Sequence, residues 1–304
     1  MEKTDKVTYA AIDIGSNAVR LLIKRINEEA GDDLFTKELL LRVPLQLGAD
    51  AFTVGKISAR KEKQLLRLVK AFRQLMKIYE VVDYRACGTS AMRDARNSKK
   101  ITKRIYRETG IRIEVIGGQE EARIVYDNHI ENLLSREKNY IYVDVGGGST
   151  EISLIHRGEL KSSRSYNVGT VRMLKGAVQA EDYDALRQDL SAMAGEYPDL
   201  IMIGSGGNIN KLFQLAEDKD KKADLLPVES LRRLTDTLKQ YDGEERRKLF
   251  HLKPNRAEVI VPAAEIFLEV ARCSQAQTIW VPTIGLVDGM IDSLYAKKLE
   301  KKKE

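Results

Sequence analysis

Residues that build zinc sites and disulfide frameworks are scarce in this sequence. It has two cysteines and three histidines among 304 residues, and Cys87 and Cys273 stand far apart without a metal-ligand spacing. Scarce, widely separated cysteines are typical of proteins in a reducing compartment. These shortages disfavour a zinc enzyme and a disulfide-stabilised secreted module, and they predict a cytoplasmic protein.

The sequence also lacks a long uninterrupted hydrophobic run. Its longest apolar stretch, AEVIVPAAEIFLEVA, contains three glutamates, and the N-terminal MEKTDKVTYAAIDIG has no apolar signal core. The net charge of +6 is mild and spread out, and its densest part, the tail KKLEKKKE, is more typical of a solvated helix end than of a nucleic-acid patch. We therefore predict no membrane and no nucleic-acid partner, while the basic balance favours a polyanionic ligand.

Short β-rich runs alternate with helical patterns along the chain, which predicts an α/β fold with a partly parallel sheet. Residues 7–14 and 19–26 form a predicted β-hairpin, and the apolar spacing over 57–79 indicates an amphipathic helix. A chain of 304 residues suits two globular domains better than one.

An internal repeat connects AAIDIGSNAVRLLIKR with IYVDVGGGSTEISLIHR. Each copy has an apolar strand, an Asp, a glycine turn, a second apolar strand and a basic residue. One Asp-x-Gly turn alone is common in hairpins, but Asp13 and Asp144 each open a segment of about domain size. The repeat predicts two duplicated domains, 1–127 and 128–304, that face a shared cleft, with the C-terminal helix able to pack back on the first.

A third glycine cluster, GSGGNI, follows the apolar run LIMI. Glycines permit close approach of the backbone to a ligand, and a helix start directs unpaired N–H groups toward it. A dinucleotide site is disfavoured because no third glycine stands in register. Gly206 and Gly207 therefore indicate either a phosphate contact or a tight strand-to-helix turn.

The glycine turns are flanked by groups suited to phosphate and to a metal ion. Phosphate binds N–H and O–H donors, whereas Mg²⁺ prefers oxygen ligands and usually keeps several waters. The predicted magnesium ligands are Asp13, Asp144 and Glu151, with an exposed strand carboxylate as the alternative for Glu151. The predicted side-chain donors are Ser16, Asn17, Ser149 and Thr150.

Arg93 and a pair of glutamates complete the predicted chemistry. Arg93 lies one turn into a predicted helix after CGTS, and its planar fork suits oxyanions, although a surface arginine is the alternative. Glu120 and Glu121 stand in the first turn of another helix, where acids also stabilise the helix through its dipole. Because no Ser-His-Asp order is present, a glutamate that accepts a proton from attacking water is the simplest mechanism for these residues.

Seven motifs, taken in order, resemble one known family. They are AIDIGSNAVRLLI, GTSAMRDARN, GGQEEARIVY, VDVGGGSTEISLI, NVGTVRM, GSGGNINKL and RAEVIVPAAEIF. The chain is similar over nearly its whole length to the exopolyphosphatase and guanosine pentaphosphate phosphohydrolase family, which belongs to the actin, Hsp70 and sugar kinase superfamily. The resemblance implies two ribonuclease-H-like domains that flank an interdomain cleft.

The resemblance also implies a role for each motif residue. Glu121 would be the base that activates water, and Asp144 and Glu151 would position magnesium and that water, opposite Asp13. The residues expected to hold the terminal phosphate are Arg93, Asn17, Arg20, Gly146, Gly147, Gly148 and Ser149. The matching second-domain positions are Gly206, Gly207 and Arg256.

The chain departs from the family pattern at several places. Asn208 stands where Thr is usual, which affects the nucleotide contacts expected at that turn, and Arg20 stands where His is frequent. Pro262 falls inside the predicted VIVPAA helix and is expected to kink it. The length resembles that of the short two-domain form without the C-terminal HD-type region of long members.

The sequence favours one function and leaves three alternatives open. The first and favoured function is a magnesium-dependent exopolyphosphatase that removes the terminal phosphate of inorganic polyphosphate. The second is a guanosine pentaphosphate (pppGpp) 5′-phosphohydrolase, with a guanosine penta- or tetraphosphate as its ligand. The third is a sugar or acetate kinase, which needs an acceptor site, and the fourth is a non-catalytic sensor of ppGpp or polyphosphate. A homodimer agrees with the resemblance, although no stretch of sequence marks an interface.

Overall fold

The protein consists of two compact units. The computed structural model describes residues 7–27, 34–126, 134–282 and 285–301. Contacts divide the chain into unit 1, Met1–Asn128 with Leu286–Glu304, and unit 2, His129–Gly285. The C-terminal helix thus groups with unit 1. The sequence allowed this arrangement in addition to the domain boundary expected at residue 127.

Unit 1 is built on a mixed five-stranded sheet in the order β3-β2-β1-β4-β5. The strands are β1 (Thr8–Ile14), β2 (Val19–Ile26), β3 (Phe35–Val43), β4 (Val81–Gly88) and β5 (Glu114–Val115). β1, β2 and β3 pair antiparallel, whereas β1, β4 and β5 run parallel. Every residue of β1 is buried, as expected for the central strand of a sheet covered on both faces.

Six helices of unit 1 lie within the described residues. They are α1 (Leu47–Val54), α2 (Ala59–Ile78), α3 (Ser90–Asp94), α4 (Ser98–Thr109), α5 (Gly118–Tyr126) and α12 (Leu286–Lys301). The predicted helix over 57–79 is α2, which begins after Ser58, whose side chain accepts a hydrogen bond from the Lys61 amide. Its residues Leu65, Val69 and Phe72 are buried at helical spacing and form part of the unit 1 core.

Unit 2 repeats this plan with a six-stranded sheet in the order β10-β11-β9-β6-β7-β8. Its strands are β6 (Asn139–Val145), β7 (Thr150–His156), β8 (Glu159–Tyr166), β9 (Ile201–Ser205), β10 (Leu225–Pro227) and β11 (Thr278–Trp280). β6, β7 and β8 pair antiparallel, and β6, β9 and β11 run parallel. The mixed sheets of both units confirm the predicted α/β class.

A long buried helix supports the sheet of unit 2. The described helices of this unit are α6 (Thr170–Leu174), α7 (Ala180–Glu196), α8 (Gly207–Leu215), α9 (Val228–Lys239), α10 (Gly243–Leu249) and α11 (Pro254–Ser274). Phe267 of α11 is fully buried in the hydrophobic core. Pro262 lies inside α11 and is buried, and the helix continues through it as a single element.

The internal repeat of the sequence is a repeat of backbone register. Asp13 pairs with Arg20 across the first hairpin, and Asp144 pairs with Glu151 across the second. The two turns carry the same backbone bond, from the amide of Gly15 to the carbonyl of Ala18 and from that of Gly146 to that of Ser149. Each unit therefore has the predicted ribonuclease-H-like plan. No helix of the described ranges has the length and apolar character that a membrane crossing requires.

Candidate active site

The strand-end aspartate of unit 1 is buried beside one cation. Asp13 is 4% exposed, and its Oδ2 accepts a hydrogen bond from the Arg20 guanidinium at 3.1 Å. Its Oδ1 accepts none from any residue that the structure describes. Burial raises the pKa of Asp13 above its ordinary value, and the nearby Arg20 offsets only part of this effect. A buried carboxylate oxygen without a partner is suited to a cation or to a cation-bound water.

The turn after Asp13 is anchored to the start of α3. The Ser16 and Ser90 hydroxyl oxygens are 2.7 Å apart, and the Ala91 amide donates to Ser16 Oγ at 3.2 Å. The Ser16 hydroxyl, predicted as a phosphate donor, is thus engaged in holding the turn. Asn17 is half-buried, and its side-chain oxygen has no hydrogen-bond partner within the described ranges.

Arg93 and Glu121 lie next to each other although 28 positions separate them in the sequence. Arg93 Nη1 stands 3.7 Å from Glu121 Oε2 and donates to the Ile116 carbonyl at 2.9 Å. The second contact holds the chain directly before the double-glycine turn that opens α5. The Glu121 amide in turn donates to the Gly117 carbonyl at 2.9 Å, which fixes the first turn of α5. The predicted phosphate-binding arginine and the predicted base therefore form one ion pair inside unit 1.

The neighbouring Glu120 has a different environment. Its side chain is 50% exposed and pairs with Arg85 at 2.7 Å, whereas the side chain of Glu121 is 13% exposed. Successive residues of a helix point about 100° apart, so adjacent glutamates on α5 reach different surroundings. The structure thus distinguishes two residues that the sequence could separate only by resemblance.

The strand-end aspartate of unit 2 has a glutamate where unit 1 has an arginine. Asp144 and Glu151 are directly opposite each other on β6 and β7, so their side chains share one face of the sheet. Glu151 is 2% exposed, and its Oε1 accepts hydrogen bonds from Ser149 Oγ at 2.6 Å and from Ser165 Oγ at 2.8 Å. The alternative interpretation of Glu151 as an exposed strand carboxylate is wrong.

The glycine loop of unit 2 turns its carbonyl groups toward α6. The Gly146 carbonyl accepts from the Thr170 amide at 3.0 Å, and the Gly147 carbonyl accepts from the Val171 amide at 2.8 Å. Within the ranges described, the amides of Gly147 and Gly148 donate no hydrogen bond to the protein. The loop therefore has the free backbone donors that phosphate binding requires.

Residues around Gly169 support this loop and were not assigned a role from the sequence. Arg172 Nε donates to the Gly148 carbonyl at 2.8 Å. A Cβ atom on Gly169 would lie 2.3 Å from the Gly148 carbonyl carbon and 2.5 Å from the Ser149 nitrogen. The motif NVGTVRM contains both residues and could have indicated this supporting role. A glycine directly before a helix often marks a close approach between two backbone segments.

The third glycine turn lies beside Asp144. Gly206 has φ +101°, and a Cβ atom there would lie 2.9 Å from Asp144 Oδ1. Gly207 follows as the first residue of α8. The structure thus brings Gly206 to the predicted metal ligand of unit 2. Arg256 lies half-buried in the first turn of α11, and its phosphate role stays a prediction.

Cys87 is the parallel neighbour of Asp13 on β4. Burial raises the pKa of its thiol to about 12, so the thiol stays protonated near neutrality. A buried thiol that stays protonated is a poor nucleophile, so Cys87 has no part in the proposed chemistry.

The carboxylates fit a magnesium ion better than a metal held by a full protein ligand set. Within the described ranges, no three His, Cys, Asp or Glu side chains are grouped as a metal site. Mg²⁺ is commonly held by one or two carboxylates, with waters and substrate phosphates as its remaining ligands. The unpartnered Oδ1 of Asp13 agrees with such a sparse site.

Comparison with known proteins identifies the family. The family model described as "Ppx/GppA phosphatase family" matches residues 40–298. The chain belongs to the Ppx/GppA phosphatase family. Residues 40–298 exclude the first Asp–Gly turn, but the register repeat described above relates that turn to its counterpart in unit 2.

Curated relatives of this Ppx/GppA chain are longer than it is. A bifunctional 3-dehydroquinate synthase/phosphatase of Fusobacterium nucleatum is 33% identical over 171 residues, which are 54% of this chain and 25% of that protein. A guanosine-5′-triphosphate,3′-diphosphate pyrophosphatase of Photobacterium profundum is 24% identical over 303 residues, which are 95% of this chain and 59% of the relative. The chain thus spans a quarter of the first protein and less than two thirds of the second.

Two solved structures have the same fold over nearly their whole length. The Ppx/GppA family member of Aquifex aeolicus is 25% identical with a TM-score of 0.75, and the alignment covers 96% of this chain and 98% of that one. An exopolyphosphatase of Cytophaga hutchinsonii is 23% identical with a TM-score of 0.82, covering 94% and 97%.

Substitution of Gly169 by alanine tests the support of the glycine loop. The new methyl group would overlap backbone atoms of Gly148 and Ser149, so the loop must move. We expect Gly169→Ala to lower the free energy of unfolding by about 1–3 kcal/mol, the usual cost of overpacking. Thermal and denaturant unfolding measure this change. The control is Gly195→Ala in α7, which meets no atom within 4 Å and should leave stability equal or higher. Equal stability of the two variants would contradict the close approach.

Proposed function

We propose that this chain is a phosphohydrolase that releases the terminal phosphate of inorganic polyphosphate. Its membership of the Ppx/GppA family supports hydrolysis of a phosphoric anhydride. The observation that carries the proposal is the contact between Arg93 and Glu121, because it joins a proton acceptor to a phosphate-binding cation. Direct attack by water needs both groups beside one phosphoryl centre.

Glu121 is the proposed general base. Its carboxylate accepts a proton from water while the water oxygen forms a bond to the terminal phosphorus, and the bridging P–O bond breaks to leave the shortened chain. Arg93 orients this carboxylate from 3.7 Å and presents its guanidinium to the oxygens of the transferring group. Arg20 and Asn17 are proposed to assist at the first turn.

The glycine loop of unit 2 is the proposed holder of the transferring phosphoryl group. The amides of Gly147 and Gly148 stabilise the negative charge that develops on its oxygens, with Gly146 and Ser149 completing the loop. Donors fixed in place before the reaction need no reorganisation during it, and the contacts of α6 with the loop carbonyls supply this rigidity.

Asp13, Asp144 and Glu151 are the proposed ligands of Mg²⁺ or of its waters. When bound, the ion supplies positive charge that polarises the phosphoryl oxygens. The Ser149 and Ser165 hydroxyl groups orient the Glu151 carboxylate, and Gly206 leaves room for the Asp144 carboxylate. The glycines Gly206 and Gly207 and the side chain of Arg256 are proposed to contact more distant phosphates.

Separate replacement of the two glutamates at the start of α5 tests which of them acts as the base. We expect Glu121→Gln to lower the rate of phosphate release by about 10²–10⁴, because an amide cannot accept the proton. Glu120→Gln is the matched control, since Glu120 pairs with Arg85 at the surface and should leave the rate within about twofold of wild type. Phosphate release and thermal unfolding are measured on both variants. Unchanged turnover in a folded Glu121→Gln variant would show that the base is another group.

A thermal-shift titration tests the magnesium ligands without turnover. Mg²⁺ that binds the folded protein should raise its melting temperature, by the equivalent of about 2.7 kcal/mol at a hundredfold excess over Kd. We expect Asp13→Asn to lose most of this shift, whereas Asp236→Asn on the exposed side of α9 should keep it. An unchanged shift in the Asp13 variant would remove this residue from the ligand set.

A second candidate substrate is pppGpp, the guanosine pentaphosphate. The curated relative of Photobacterium profundum and others like it are named guanosine-5′-triphosphate,3′-diphosphate pyrophosphatase. Release of phosphate from long polyphosphate, tripolyphosphate and pppGpp, measured side by side, distinguishes the two substrates. Release without an acceptor argues against a kinase, and tight binding without release in any divalent metal would favour a sensor. The cytoplasm is the proposed location, and a homodimer stays a prediction.

A further inference from the structure

A surface groove of unit 1 is lined by cations alone. It follows α4 and has a volume of about 610 Å³. Its lining residues are Arg96, Lys99, Lys100, Lys103, Arg104 and Arg107. No aromatic, acidic or apolar residue contributes to this lining, so the groove presents only positive charge and the aliphatic stems of the basic side chains.

The six cations follow one another at helical spacing. Five of them lie within α4 and, measured from Lys99, stand at i, i+1, i+4, i+5 and i+8, which places them along one side of the helix, while Arg96 lies in the turn before it. With a rise of 1.5 Å per residue, the helical part of the row is about 12 Å long. A row of this kind matches a linear ligand with repeated negative charges better than a single compact anion.

Most of this positive charge has no acidic partner. Arg104 pairs with Glu62 and Glu108, each at 2.9 Å. Lys99, Lys100, Lys103 and Arg107 form no ion pair within the described ranges. The uncompensated cations therefore repel one another at a cost that a bound polyanion would remove.

The first turn of α4 has residues that are unfavourable at the start of a helix. Its first turn contains Lys99 and Lys100 and no acidic residue, although the helix dipole disfavours cations there by roughly 0.3–1 kcal/mol each. The side chain of Asn97 does not cap the helix, because it exchanges two hydrogen bonds with the Ile57 backbone, at 3.0 and 2.8 Å. Residues that lower the stability of a helix are expected at positions where they make a functional contact.

We propose that this groove binds the distal part of a long inorganic polyphosphate chain. The proposal rests on the proposed function and extends it, because a second contact away from the reacting end gives a preference for long chains. The lining of the groove begins in the sequence at Arg96, three residues after Arg93, the proposed phosphate-binding arginine. A nucleic acid fits less well, since the lining has no aromatic side chain for base stacking and no acceptor for base edges.

Binding of this type is driven by release of counterions from the polyanion. Each lysine that neutralises one phosphate contributes about one unit to the slope of log K against log salt concentration. Loss of three lysine contacts should therefore lower the affinity for long polyphosphate by at least about tenfold and reduce the slope by about two to three units.

The test is a triple substitution, Lys99→Gln, Lys100→Gln and Lys103→Gln, in the Glu121→Gln background. Binding of fluorescently labelled long-chain polyphosphate is measured by anisotropy over a range of salt concentrations, and tripolyphosphate binding is measured by calorimetry. We expect the long chain to bind at least about tenfold more weakly with a smaller salt slope, while tripolyphosphate affinity stays unchanged. In the active enzyme, the same substitutions should raise KM for the long chain and leave kcat unchanged.

Two further variants act as controls. Lys77→Gln, Lys221→Gln and Lys222→Gln remove the same charge from exposed positions outside the groove and should leave the salt slope unchanged. The triple Lys→Arg variant at 99, 100 and 103 keeps the charge and should restore affinity for the long chain. Equal weakening by both Gln triples would overturn the proposal, because it would show an effect of net charge alone.

The outcomes for the groove and for the proposed function are distinguishable. If wild type releases phosphate from polyphosphate but the groove variant binds the long chain as tightly as wild type, the groove assignment is wrong and the function stands. If wild type releases no phosphate, the function is wrong, and the binding comparison still tests the groove. Binding of single-stranded DNA as tight as that of polyphosphate of equal charge, and equally sensitive to the triple, would assign the groove to nucleic acid instead.

Discussion

The pairing of each strand-end aspartate with the residue seven positions later sets the charge beside that aspartate. Both hairpins have the same register, so the partner residue always faces the aspartate on one side of the sheet. In unit 1 this partner is Arg20, which balances part of the charge of buried Asp13. In unit 2 it is Glu151, which doubles the negative charge beside Asp144 and is held by serine hydroxyls. Two carboxylates on one sheet face are stable only with hydrogen bonds or a cation, because burial disfavours the charged form.

The glycine loop of unit 2 depends on the same hairpin and on α6. Its carbonyls are engaged by the first amides of that helix, which leaves the amides of Gly147 and Gly148 as donors. Gly169 makes this arrangement possible because only a residue without a side chain fits against the loop backbone. Gly206 has the same function beside Asp144, where its positive φ and the nearby carboxylate oxygen exclude a Cβ atom. Glycine therefore serves two purposes here: it leaves free amides within the loop, and it permits close packing of the backbone that supports the loop.

Charge is distributed unevenly over unit 1. Glu121 is paired with Arg93 and mostly buried, whereas four cations of α4 have no ion pair within the residues that the structure describes and line an open groove; they are Lys99, Lys100, Lys103 and Arg107. The first arrangement is the proposed orientation of a carboxylate for proton transfer, and the second is the proposed binding surface for repeated negative charge. Both belong to the chain segment from α3 to α5, so one segment supplies the proposed base, the proposed phosphate-binding arginine and the polyanion groove. A ligand with many phosphates is the simplest chemistry that uses all three features.

The sequence by itself determined the strands, the main helices and the repeat, because these depend on the spacing of apolar residues and on turn glycines over short distances. Helix α2 and both Asp–Gly hairpins formed where periodicity placed them. Tertiary structure alone decided which of Glu120 and Glu121 meets Arg93, that Glu151 is buried, and that the C-terminal helix groups with unit 1. The basic groove was also not predicted from the sequence, because the C-terminal tail was identified as the densest cluster of positive charge. Contacts between positions tens of residues apart depend on packing of whole elements, and local patterns contain no measure of that packing.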